Sequence, residues 1–130
     1  MFPIIAVDIS GRHRINRGYY MVCAAVAVDV SASHIESVSQ IAVKPFLVSS
    51  APDIVDVVSI IETTVAEINY PGAIILEHGD LYNQPEWLSQ RMFSREFKYQ
   101  ESLSERLAIE FAHHVSLSSR NLLMKELGID

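Results

Sequence analysis

The first half of the chain is dominated by apolar stretches of strand length. Residues 3 to 10, Pro-Ile-Ile-Ala-Val-Asp-Ile-Ser, are rich in Ile and Val and are closed by Ser10 and Gly11, which predicts a strand covered on both faces. After a glycine-bounded loop, Tyr19 to Val30 sets Val22, Ala24, Val26 and Val28 against Met21, Cys23, Ala25 and Ala27. Both faces of that segment are apolar, and a hairpin is the simplest joining to the first strand. His34 to Phe46 alternates at Ile41 and Val43, while Ser33 and Glu36 also have capping-box spacing. An edge strand is preferred there, because Lys44 and Pro45 suit the end of a sheet edge.

The period then changes. Ile54, Val57, Val58, Ile61, Val65 and Ile68 recur at helical spacing after Ser50, Pro52 and Asp53, with Tyr70-Pro71-Gly72 as the stop, so an amphipathic helix is expected through Asn69. Ala73 to His78 reads as another buried strand, parallel to the first because a helix intervenes. Asn83 to Phe93 predicts a short helix and Arg95 to Tyr99 a brief last strand. A long helix follows from Ser102 to Leu127, with Ser102 and Glu105 as a capping box and Gly128 as its stop. The order of elements, βββαβαβα, describes an α/β domain with a central mixed sheet of about five strands flanked by helices.

Length allows a single domain over residues 1–130 with a sizeable core. The formal charge of -6 argues against a general nucleic-acid coat or a polybasic membrane binder. It leaves a nuclease open, since metal-site carboxylates count as negative until cations arrive. A lone cysteine, Cys23, excludes an internal disulfide, and its apolar neighbours suggest an inert thiol in a reducing compartment. No basic leader is visible, and the longest apolar run falls short of the roughly 20 residues a membrane helix needs. A soluble cytoplasmic protein is therefore expected.

Asp8 is the residue that changes this picture. A carboxylate in an apolar strand costs several kcal/mol unless it is paired or binds a cation, so its partners have to come from elsewhere in the chain. Glu77, His78 and Asp80 follow the outgoing end of the fourth strand, and in an open α/β sheet the functional crevice lies off the carboxyl ends of the strands. On a wheel of about 100 degrees per residue, Leu103, Leu107 and Phe111 mark the expected buried stripe of the last helix. Glu110 and His114 then face inward with them, and His113 lies toward the opposite flank.

Asp8, Glu77, Glu110 and His114 are thus the candidate ligands and catalytic groups, with Asp80 as a further metal ligand and His113 as a near alternative. An oxygen-rich set of this kind suits magnesium or manganese. Two such ions about 4 Å apart activate water and stabilise a leaving oxygen in phosphodiester hydrolysis. Arg12, Arg14 and Arg17 in the first hairpin loop are placed to hold a phosphate backbone. Each signal also has a plainer reading. Glu77 suits a cap, Glu110 and His114 an intrahelical hydrogen bond, the arginines a solvated loop, and Tyr19, Tyr20 and Trp87 simple packing. Neither a P-loop nor a dinucleotide glycine motif is present.

The order of elements, the apolar first strand Ile-Ile-Ala-Val-Asp8-Ile-Ser-Gly, the Ile-Leu-Glu77-His-Gly-Asp80 strand end and the acid and histidine on the last helix together resemble the ribonuclease H-like superfamily. The resemblance is closest to its RuvC-like and small uncharacterised archaeal members. It implies a ribonuclease H-like fold and a two-metal nuclease, with Asp8, Glu77 and Glu110 or His114 in the metal and catalytic roles. Asp8 would bridge both ions, and nucleic acid would be the partner. No acid stands out in the first helix, and the last helix lacks the Asp pattern usual in resolvases. These departures point to the alternative of a catalytically silent ribonuclease H-like scaffold that binds protein or nucleic acid, with homodimerisation through its hydrophobic edge.

Overall fold

The computed structural model describes residues 1–15 and 18–129. Strand β1 spans Phe2–Ser10, β2 Tyr19–Val30, β3 Ile35–Val48, β4 Ala73–Leu76 and β5 Phe97–Tyr99. Helix α1 spans Ile54–Val65, α2 Glu86–Gln90 and α3 Leu103–Leu127, and a 3-10 turn covers His78–Leu81. The strands form one sheet in the order β3-β2-β1-β4-β5. β2 runs antiparallel to both its neighbours, while β1, β4 and β5 are parallel. The architecture is α/β with a five-stranded mixed sheet flanked by helices, and β3 is an edge strand, as its Lys44 and Pro45 suggest.

Alternation along β1 divides the core. Ile5, Val7 and Ile9 face α1 together with Met21, Cys23, Val57 and Ile61, whereas Ile4 and Ala6 face α3 together with Val26, Val28, Ala108 and Ala112. Asp8 and Ser10 continue the α3-facing row, because side chains two apart share a face. Each fully buried aliphatic side chain contributes on the order of 2 kcal/mol, which holds both layers to the sheet.

Helix boundaries shift for local reasons. Asp53 caps α1, and its carboxylate accepts from the Asp56 amide at 2.9 Å. The helix ends at Val65, short of Asn69. Ser102 and Glu105 form the capping box of α3, and Gly128 stops it in the left-handed conformation at φ 69°. No helix of the described residues is long and apolar enough to cross a membrane.

The rotation of α3 about its axis differs from the wheel expectation by nearly half a turn. Its buried face consists of Ser104, Glu105, Ala108, Ile109, Ala112 and Ser116. Leu103 is instead 51% exposed, while Leu107 and Phe111 lie at the margins. Small side chains let the helix backbone approach β1 and β2 closely, and the larger apolar residues cover the flanks. Glu110 and His114 consequently face solvent, which corrects their expected inward placement.

Candidate functional site

Parallel pairing of Ile4 with Ala73 through Ala6 with Ile75 brings the carboxyl ends of β1 and β4 level with one another. Asp8 therefore emerges beside the chain leaving β4, and the 3-10 turn returns Asp80 toward it. Asp8 is 8% exposed. Its Oδ2 lies 3.1 Å from His113 Nδ1 and accepts from Ser116 Oγ at 3.1 Å. Ser116 also meets Ser10 Oγ at 2.7 Å. Both side-chain hydrogen bonds of Asp8 fall on Oδ2, and among the described residues none reaches Oδ1.

Asp80 has fewer partners. Its Oδ2 accepts from the Glu77 amide at 3.2 Å, and Arg12 Nη1 stands 3.7 Å from its Oδ1. Burial pushes the Asp80 carboxyl up to about 7, with the Asp8 charge adding to the rise and the Glu77 amide and Arg12 opposing it. Cys23 registers the same local field. Its thiol is pushed up to about 12, chiefly by burial, with smaller contributions from the charges of Asp8 and Asp80. Two acids thus share a poorly solvated edge of the sheet, a condition that favours protonation or a bound cation.

Arg12 is held over the Tyr82 ring at 5.0 Å. Tyr82 and Asn83 both adopt left-handed backbone, at φ 56° and 59°, and Tyr82 donates its hydroxyl to the Pro52 carbonyl at 2.7 Å. Consecutive non-glycine residues in that region are uncommon, and here they fix the ring against which Arg12 lies. Arg12 Nη2 is buried without a hydrogen-bond partner among the described residues.

Of the residues singled out by sequence, the structure brings together Asp8, Asp80 and Arg12. Glu77 stands exposed at the rim, close enough for its charge to act on Asp80. His113 takes the position expected of His114. Glu110 is 59% exposed and lies 4.0 Å from Arg106, one turn away. Arg14 is exposed, and Arg17 lies outside the described residues. His78 stacks on Tyr99 with ring centroids 4.1 Å apart. Ser116 and Arg120 escape the sequence reading, although their spacing of three and seven residues from His113 marks a polar stripe on one flank of α3.

Among the described residues no group of three or more His, Cys, Asp and Glu side chains is arranged to hold a metal ion. Asp8 and Asp80 nevertheless fit the protein share of a magnesium or manganese site, because such ions accept one or two carboxylates and complete their shell with water and phosphate oxygens.

Residues 5–124 match a family described as "Uncharacterized protein conserved in archaea (DUF2209)". An uncharacterized protein of Methanocaldococcus jannaschii is 34% identical over 125 residues, which cover 94% of this chain and 97% of that protein. No solved structure matches the chain.

Proposed function

The chain belongs to this archaeal family, and we propose that it is a divalent-metal-dependent phosphodiesterase acting on nucleic acid, built on a ribonuclease H-like fold. The order of elements and the acid at the end of β1 support the fold reading. The observation that carries the function is the placement of two carboxylates, Asp8 and Asp80, at adjacent parallel strand ends with Arg12 beside them.

In this reading Asp8 and Asp80 hold magnesium or manganese, with Glu77 at the rim. The bound ion supplies polarisation of a phosphate oxygen and an acidified water. Arg12 Nη2, a buried donor without a partner among the described residues, is suited to a phosphate oxygen. His113 contributes proton transfer. A proton on Nδ1 satisfies Asp8, which leaves Nε2 as the basic nitrogen on a half-exposed ring.

The decisive experiment is calorimetric titration of manganese into the protein and its Asp8→Asn variant, followed by cleavage assays on labelled DNA and RNA. Binding that the variant loses, with metal-dependent cleavage, is the expected result. A protein that binds no manganese in the presence or absence of nucleic acid overturns the proposal.

Two observations favour the second reading, a silent ribonuclease H-like scaffold. The acid of the last helix, Glu110, is turned to solvent, and the β3 edge exposes Ile41, Val43 and Leu47. A partner bound along that edge without metal dependence is its expected signature.

A further inference from the structure

A cavity of about 440 Å³ opens between the loop after β1 and the second half of α3. Arg12, His13, His113 and Arg120 line it, and Ile15 and Leu117 supply apolar wall. No carboxylate is among its described lining residues. In a chain of net charge -6, a pocket with only basic ionisable groups is a local departure from the overall balance. Its size falls within the range of small-molecule sites, roughly 300–1,000 Å³.

We propose that this cavity binds a nucleotide unit through its phosphate. Arg12 and Arg120 supply the anion contacts, and the apolar wall packs against the nucleoside. The two guanidinium groups are held rather than loosely exposed. Arg120 donates Nε to the Tyr20 carbonyl at 2.8 Å, which fixes the plane of its fork beside the cavity. Room for that contact comes from Gly11, at φ +96°, because a Cβ there would collide with both the Arg120 side chain and the Tyr20 carbonyl. Arg12 is braced by Tyr82 and Asp80 on one side, and its buried Nη2 has no partner among the described residues. Arginines fixed in this way match phosphate oxygens with little loss of side-chain freedom. His13, exposed on the loop, adds a ring N–H donor at the mouth.

The cavity adjoins the pair of acids, with Arg12 and His113 bordering both, but its occupancy requires no metal. Within the proposed phosphodiesterase it would hold the nucleotide next to the scissile linkage. The test is calorimetric titration of the full chain, in EDTA, with adenosine 5′-monophosphate and with adenosine. The monophosphate is expected to bind at least tenfold more tightly than the nucleoside. Arg120→Gln and His13→Ala are each expected to weaken it at least fivefold and to leave manganese binding unchanged. Circular dichroism establishes folding, and the exposed His13 serves as the second variant should Arg120→Gln unfold. Equal binding of the two compounds, no binding of the monophosphate, or unaltered affinity in a folded variant overturns the proposal. Each of these results leaves the manganese experiment standing, just as failure of manganese binding leaves this site standing.

Discussion

Glu105 lies in the first turn of α3 and Asp80 in the 3-10 turn after β4. Both carboxylates are shielded from solvent, with side-chain exposures of 5% and 14%. Around Glu105 the donors are complete, since it accepts from the amides of Glu101 at 2.8 Å and Ser102 at 3.1 Å and from Lys98 Nζ at 3.0 Å. Burial opposes its charge, but those amides and the ammonium outweigh burial and hold the carboxyl below its usual range. Asp80 has one amide, an arginine at 3.7 Å and a second acid for a neighbour. Burial and that neighbour raise it to about 7. A satisfied buried acid holds a helix start in place, whereas an under-satisfied one beside another acid is suited to a ligand.

Asp80→Asn should give the largest effect on folding. In metal-free protein the Asp80 carboxyl rises from 3.8 to about 7, so the native state binds its proton more tightly than the unfolded chain. The corresponding stability is full below about pH 4 and is lost as pH climbs through 7. The variant should therefore be more stable than the parent at pH 8, by up to about 4 kcal/mol from 1.36 kcal/mol per unit, and nearly equal to it at pH 4. Urea denaturation in EDTA at both values checks this, and a variant less stable at pH 8 would break the contrast with Glu105.

Asp8→Asn preserves shape and removes the charge. Manganese affinity should fall at least about a hundredfold, a change of about 2.8 kcal/mol at 1.4 kcal/mol per decade, as read by calorimetry. Unchanged affinity would remove Asp8 from the site.

Glu105→Ala should lower stability by about 2 kcal/mol through lost capping bonds and an unpaired Lys98, with manganese binding intact. Denaturation at pH 7 measures the loss. Were metal affinity to fall as well, the division between structural and functional acids would fail.

The smallest effects belong to Glu110→Gln and His114→Ala. Both side chains face solvent, and the Arg106 contact at 4.0 Å is a surface pair, so each substitution should change stability by less than about 0.5 kcal/mol. Thermal melts and the manganese titration provide the check. A large loss of metal affinity in either variant would restore the last-helix acid and histidine to the site.

The contrast between the two acids was only partly legible in the sequence. Ser102 and Glu105 announce their capping box by spacing alone, because both ends of that interaction lie within one helical turn. Asp8 announces itself by sitting in an apolar strand. Asp80 is legible as a further candidate ligand among the polar residues after β4, but its rank above Glu77 is not, since that comes from the way the 3-10 turn returns it toward Asp8, distant in sequence. The choice between His113 and His114 failed for a definite reason. A hydrophobic wheel weights Leu103, Leu107 and Phe111 by size and apolarity, yet close approach to the sheet selects Ala108, Ala112 and Ser116.

Periodicity, caps and turn residues in the sequence were enough to give the order and type of the strands and helices, though not their ends, together with the antiparallel first hairpin, the parallel return to β4 and the edge position of β3. These are local properties of backbone geometry and of alternating burial. Only the tertiary structure decided how α3 is rotated on the sheet, which histidine reaches Asp8, and that Gly11 leaves room for Arg120 beside Arg12. Those outcomes depend on shape complementarity and on charges brought together from distant parts of the chain, and no pattern within a single segment encodes either.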